Sequence, residues 1–410
     1  MTRPVRYRCV TCGKALESSE VVYLCPSCSA HPGPATEHPR GCLSVTFEPA
    51  RRGKAGQEAD IASFLPLPLG RWSSFPAGNT PLVAPRALRE RTGIPGLWLK
   101  NDTVTMSGSL KDRASILVAE QALAAGETRV VLASTGNAGA SMACAGAACG
   151  LQVILFVPSS APRAKLLQSL MYGARVVPVR GTYDDAFELS ISYSTRHGGI
   201  NRNTAFNPFT VEGKKTVSLE IYNQLGFQAP DVVYVPTGDG VIYSGACKGF
   251  ADLRQAGMIG KLPVMNVVQA QGSNAIVRSM QEGRQVVIPS TSTIADSLSV
   301  CRPAAGAMAL GYAAQFGGRG LEVTDAEIRE AQADLARSAG LFVEPSSAAA
   351  WAGFLQDRPH VDAGARVVVL LTGTGFKDTA AAEKLVSMPG PCEPDVESAA
   401  RFLSDQYGIR

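Results

Sequence analysis

Histidine is scarce in this chain, with four residues among 410. None of the four lies in the glycine-rich loops that carry the candidate chemistry of the main body, so neither a Ser-His-Asp hydrolase nor a histidine-rich metal centre is expected. Charge is sparse as well. Charged residues make up 18%, and a formal net charge of +4 is spread over interspersed Lys, Arg, Asp and Glu. With no basic block, nucleic acid is not an expected partner. Long apolar runs are also missing, since no stretch reaches the roughly 18 to 20 residues of a membrane span. The first residues, Met1-Thr2-Arg3-Pro4, lead into charge and cysteine rather than an apolar signal core. The expectation is a cytoplasmic protein with no membrane association.

What is present points to an α/β protein. Hydrophobic residues form 45% of the chain and glycine occupies 41 positions, which suits close packing of helices on sheets. At 410 residues the chain is too long for one hydrophobic core, so two or three domains are expected.

Cysteine is more plentiful than histidine, and unevenly placed. Cys9-x-x-Cys12 and Cys25-x-x-Cys28 form two close pairs with twelve residues between them. Each pair can bend a knuckle around a tetrahedral zinc ion, and four thiolates make a closed, structural site. Two disulfides or free thiols are the alternative. Disulfides suit a cytoplasmic chain poorly, and the other six cysteines are scattered singly. His31 and His38 follow in a proline-rich turn and read as loop residues. Leu43-Ser44-Val45-Thr46-Phe47 alternates like a strand that closes a ribbon. Arg51 to Ala59 is polar, and Pro66, Pro68, Pro76 and Pro81 then interrupt regular structure.

From Leu97 onward, short β-branched runs alternate with Ala-rich helical patterns. Strands are expected at 97–100, 130–133, 153–157, 175–179, 232–235, 264–268 and 367–371. Near-continuous apolar runs of this kind mark parallel strands buried on both faces. A doubly wound architecture follows, with ligands at the carboxyl ends of the strands.

The loops after these strands carry the chemistry. Ser107-Gly108-Ser109-Leu110-Lys111-Asp112-Arg113 places a lysine at the mouth of the helical run 114–125. The positive end of a helix dipole disfavours a cation there, and partial burial adds to that, leaving a nucleophilic amine. Taken alone, the stretch reads more simply as a solvated surface lysine followed by an ordinary helix. Ser134-Thr135-Gly136-Asn137 precedes the helix 140–149 and offers amides and hydroxyls to a carboxylate, or caps the helix. Gly238-Asp239-Gly240-Val241-Ile242 lets backbone approach an anion, and Asp239 is better placed to fold the loop than to face phosphate. Thr372 ends the 367–371 strand with a hydroxyl suited to a neutral ring nitrogen. Together these residues ask for a lysine that moves protons and an electron sink supplied from outside. Pyridoxal phosphate bound as a Schiff base to Lys111 meets that description.

The same segments carry a resemblance. Ser107–Arg113 is similar to the family pattern Gly-Ser-Phe-Lys-Asp-Arg, and Ser134–Asn137, Asn207–Thr216, Gly238–Ile242, Thr293–Ser297 and Leu371–Asp378 match in order. The chain resembles the threonine synthases of the fold-type II pyridoxal-phosphate family over nearly its whole length. It departs from them at Thr374-Gly375-Phe376-Lys377-Asp378, where His-Gly-Leu-Lys-Asp is usual, and at Gly238–Ile242, where Gly-Asn-Ala-Gly-Asn is typical.

The resemblance implies two doubly wound α/β domains behind an amino-terminal zinc ribbon. Its divisions are a ribbon over 1–48, a linker over 49–78, a catalytic region over 79–385 and a tail over 386–410. Within the catalytic region a smaller mobile unit is expected at about 120–205. The resemblance further implies that Asn137 bonds the cofactor's ring hydroxyl, that Gly238 to Ile242 hold its phosphate, and that Thr372 faces the pyridine nitrogen. Ser109, Ser134, Thr135 and Gly136 would clamp the substrate carboxylate. Arg163 and Lys165 either meet a substrate phosphate or are ordinary surface charges. The implied activity is conversion of O-phospho-L-homoserine and water to L-threonine and phosphate by a homodimer. The alternatives are a relative performing β-replacement or β-elimination, either cysteate-synthase-like on O-phosphoserine or in specialised metabolism, and a non-catalytic, metal-binding regulatory protein that kept the fold.

Overall fold

The computed structural model describes residues 5–18, 22–31, 33–46, 54–71 and 74–409. Phe47, and residues 49–53, 72 and 73 of the expected linker, lie outside the described residues.

An antiparallel three-stranded sheet opens the chain. β1 (Val5–Cys9) sits between β2 (Ala15–Ser18) and β3 (Leu43–Thr46). The four paired cysteines cluster at its end, with each Sγ within 4.8 Å of the others. This unit is docked firmly. Tyr23 stacks on Phe206 at 4.8 Å and its hydroxyl accepts from the Asn201 amide at 2.8 Å. His38 is buried, with Nε2 3.0 Å from the Val286 carbonyl. Room for its ring exists only because residue 306 is glycine, whose added Cβ would lie 2.3 Å from His38 Nδ1.

The six-stranded sheet is built from two separated parts of the chain. β4 (Leu82–Val83) and β5 (Leu97–Asn101) come early. The chain then makes a four-stranded parallel sheet from β6 (Arg129–Ala133), β7 (Gln152–Pro158), β8 (Arg175–Val179) and β9 (Ile200–Asn201), ordered β8-β7-β6-β9. It returns with β10 (Val232–Pro236), β11 (Val264–Ala270), β12 (Gly320–Val323) and β13 (Val367–Leu371). The large sheet runs β12-β11-β10-β13-β5-β4, parallel except for β4. Every residue of β13 is buried, as its Val-Val-Val-Leu-Leu sequence requires.

Residues 49–78, expected to form a linker, are exposed at 54–58 but send side chains into the core from Ala59 onward. Phe64, Leu65, Leu67, Phe75 and Ala77 are buried. Their spacing among prolines hides this from any periodicity test. The carboxyl-terminal stretch carries a helix, Val396–Tyr407, with no buried residue. Among the described residues no helix is long and apolar enough to cross a membrane.

Helices around the site pack by glycine contact. A Cβ on Gly213 would lie 2.1 Å from the Arg113 carbonyl, and one on Gly245 would lie 2.7 Å from Lys214 Cβ. The helix Phe209–Lys214 is thereby wedged between the helices Lys111–Ala124 and Val241–Gln255.

Candidate active site

The strand order assembles the site. Because β10, β13 and β5 are neighbours, the loops at their carboxyl ends lie side by side: Gly238–Ile242, Thr372–Gly373 and Ser107–Lys111. Hydrogen bonds tie two of them directly. The Leu110 amide donates to the Thr372 carbonyl at 2.8 Å, and Ser109 forms a β-bridge with Gly373.

Lys111 is the first residue of its helix, and the preceding Leu110 offers no side-chain cap. The next two residues fix it. Asp112 takes the Ser107 amide at 2.8 Å and the Ser107 hydroxyl. Arg113, fully buried, pairs with Asp102 and Glu220 at 2.7 Å each, and Lys100 pairs with Glu220 at 2.7 Å. Lys111 itself is only half-buried by its surface. Desolvation nevertheless lowers its pKa; Asp239 and Glu344 oppose this and Arg202 adds to it.

Asn137 begins the helix Asn137–Cys149, three residues earlier than its apolar pattern indicates. Its Nδ2 lies 3.0 Å from both carboxylate oxygens of Glu344 and 3.2 Å from Ser297 Oγ. Ser134 Oγ accepts the amides of Gly136 and Gly139 at 3.2 and 3.1 Å, so it folds the loop, while Thr135 and Gly136 stay partly exposed. Gly240 has φ +91°, a conformation that favours glycine. A Cβ on Gly238 would meet Leu298 Cα at 3.1 Å. Asp239 Oδ1 accepts from the Val241 amide at 3.0 Å, the loop-folding role its charge predicts. Val241 and Ile242 form the first turn of the following helix. Thr372 Oγ1 lies 3.2 Å from Ser347 Oγ, which also takes the Thr372 and Gly373 amides at 2.9 and 2.7 Å.

A cleft opens in front of this group, lined in part by Gly136, Asn137, Lys165, Asp296, Glu344 and Lys377. Lys165 Nζ pairs with Asp296 at 2.9 Å across it, and Lys377 donates to Gln168. Burial depresses the Lys377 pKa against the pull of Glu344 and Asp112. Arg163 is exposed on the first turn of the helix Arg163–Met171 and does not line the cleft. Residues the sequence reading gave no role also converge here: Glu344, Ser347, Lys377, Arg202 and Lys214. Lys377 and Lys214 fall inside matched motifs, whereas Glu344 precedes Pro345-Ser346 and reads only as a helix start.

Similarity to known proteins places this geometry. Residues 74–373 match the family model described as "Pyridoxal-phosphate dependent enzyme". The chain belongs to that family. Threonine synthase from Methanocaldococcus jannaschii is 34% identical over 404 residues, covering 97% of this chain and 99% of its own. Threonine synthase from Halalkalibacterium halodurans is 35% identical over 325 residues, covering 78% of this chain and 89% of its own. Among solved structures, the processed form of threonine deaminase isoform 2 from Solanum lycopersicum superposes with a TM-score of 0.66 at 21% identity. It covers 84% of this chain and 98% of that one, so the shared feature is the fold-type II architecture.

Proposed function

We propose that this pyridoxal-phosphate dependent enzyme is a threonine synthase, converting O-phospho-L-homoserine and water to L-threonine and phosphate. The observation that carries this reading is the nearly end-to-end match to the Methanocaldococcus jannaschii threonine synthase. In this reading Lys111 holds the cofactor, Asn137 and Thr372 meet its ring, and Gly238, Asp239, Gly240, Val241 and Ile242 surround its phosphate. The donor set fits such a group: Ser109 Oγ, two residues from Lys111, is buried without a hydrogen-bond partner. When bound, pyridoxal phosphate supplies an electron sink that acidifies the Cα hydrogen of an amino acid.

The chain's own residues do the rest. Lys111 Nζ, with its proton held less tightly through burial, takes and returns protons at the substrate carbons. Thr372 offers a hydroxyl where a carboxylate would protonate the ring nitrogen fully, which favours elimination and replacement over transamination. The amides and hydroxyls at Ser109, Ser134, Thr135 and Gly136 bind the substrate carboxylate beside a helix amino terminus. Lys165 and Lys377 bring positive charge to the departing phosphate.

Zinc is the ion proposed for Cys9, Cys12, Cys25 and Cys28. The Cys9–Cys28 and Cys12–Cys25 sulfur pairs are each 3.8 Å apart. A tetrahedron with Zn–S of about 2.3 Å has an edge of about 3.8 Å. Phosphate release and threonine formation from O-phospho-L-homoserine by the purified protein test the activity; no turnover of that substrate would sink it.

A further inference from the structure

Two buried cations keep donors to spare. Lys214 is fully buried and its Nζ has no hydrogen-bond partner among the described residues. Arg202 is equally buried; its Nη1 donates to Thr204 Oγ1 at 2.9 Å, but Nε and Nη2 have no partner among the described residues. Both feel the charge of Asp239 in the Gly238–Ile242 loop, and Lys214 also feels Lys111 and Arg202. An uncompensated buried cation is strongly unfavourable, and two in one place more so. The Asp239 carboxylate does not neutralise both, since it is one charge and its Oδ1 is already engaged with the Val241 amide. Close glycine contacts hold Lys214 in this position, which removes escape to solvent as a remedy.

We infer that Lys214 and Arg202 bind the phosphate group of a phosphate monoester, together with the first turn of the helix Val241–Gln255. The chemistry of the donors fits that head group. Nε and Nη2 of an arginine form a fork that matches two phosphate oxygens, and a lysine supplies a point charge to the third. Ser244, one turn into the helix, adds a buried hydroxyl that also lacks a partner. The site rests on the reading of Lys111 as the cofactor lysine. Its ligand is either the cofactor's phosphate or the substrate's.

The test uses full-length protein freed of cofactor, as wild type, Lys214→Met and Lys214→Arg. Each is titrated with pyridoxal 5′-phosphate and with pyridoxal, followed by Schiff-base absorbance and by ultrafiltration. Loss of a charge-assisted bond weakens binding about 10- to 100-fold. If the cofactor's phosphate is the ligand, Lys214→Met loses that much affinity for pyridoxal 5′-phosphate and none for pyridoxal, and Lys214→Arg recovers most of it. If the substrate's phosphate is the ligand, cofactor affinity holds. In that case inorganic phosphate, followed by phosphorus NMR, binds the wild-type holoenzyme but not the Lys214→Met holoenzyme. No change in either arm overturns the inference. Cofactor-free Lys214→Met is expected to melt at or above the wild-type temperature, because it loses an uncompensated charge. A markedly lower melting temperature would make Lys214 a structural group and also overturn it. Lys111→Ala separates the two readings: a Schiff base persisting in that variant sinks the role of Lys111 and leaves the phosphate result to stand or fall alone.

Discussion

Asn137 and Glu344 meet across the cleft, with Nδ2 of the amide 3.0 Å from each oxygen of the carboxylate. The two come from opposite walls, one from the helix after β6 and the other from the start of the helix Pro345–Asp357. Burial raises the Glu344 pKa, and Asn137, Lys111 and Lys377 pull it back. Glu344→Gln keeps the shape but removes the charge that orients Asn137. Charge-assisted hydrogen bonds contribute about 1.5 to 3 kcal/mol, so kcat/KM is expected to fall about 10- to 100-fold. The melting temperature should hold, and a large fall in melting temperature with unchanged kcat/KM would contradict the assignment.

Lys111→Ala is expected to fold. The helix that carries it is anchored through Asp112 and Arg113 rather than through the lysine. Far-ultraviolet circular dichroism should match the wild type, while Schiff-base absorbance and its loss on borohydride reduction should both disappear. Residual phosphate release above the uncatalysed rate would count against the role.

Arg113 tests stability instead of chemistry. Arg113→Met leaves Asp102 and Glu220 buried without their shared cation, a change that costs about 3 to 5 kcal/mol. Urea unfolding measures it. The same network sets an acid response. Burial pushes the Glu220 carboxyl up, but Arg113 and Lys100 outweigh it and hold the pKa down at about 2, below the ordinary value of 4.5. Its contribution is therefore fully present above pH 4.5 and is lost as pH falls towards 2. Glu220→Gln should flatten the stability profile in that window, and an unchanged slope would exclude the linkage.

Loss of the proposed zinc should be felt at the Gly238–Ile242 loop. Cys42, beside the cysteine cluster, packs in one apolar group with Val241 and Ala305, and the Ala305 amide donates to the Asp239 carbonyl at 2.9 Å. Cys25→Ser, or treatment with a chelator, is expected to release about one zinc per chain by elemental analysis, a count that follows from a four-thiolate site. Thermal stability and cofactor retention should fall together. Intact cofactor affinity in a zinc-free, folded protein would show that the two regions are uncoupled.

In the six- and four-stranded sheets, the seven strands legible in the sequence are those with runs of apolar residues, and β13 is the clearest because all five of its residues are buried. The three of those sheets that composition does not reveal are β4, β9 and β12, and each lies at the edge of its sheet. Edge strands are short and face solvent or loops on one side, so they need no apolar run. Lys111, Asn137, Thr372 and the Gly238 loop were legible because each follows a readable strand. Glu344 was not, since a residue before Pro-Ser-Ser looks like an ordinary helix start until its side chain is placed. Lys214 was not either, since its position depends on the close approach of its helix to the helix Val241–Gln255 that Gly245 permits, and no local pattern announces such closeness.

β13 is the last strand among the described residues, yet it fills the gap between β10 and β5. During synthesis, then, the lysine loop, the four-stranded sheet and the Gly238 loop all emerge before the strand that joins them. Until Val367–Leu371 leaves the ribosome, β5 and β10 present open hydrogen-bonding edges that invite wrong partners. A nascent chain of this protein carries Lys111 long before the strand that completes its surroundings, and exposure to wrong pairing is greatest in that interval.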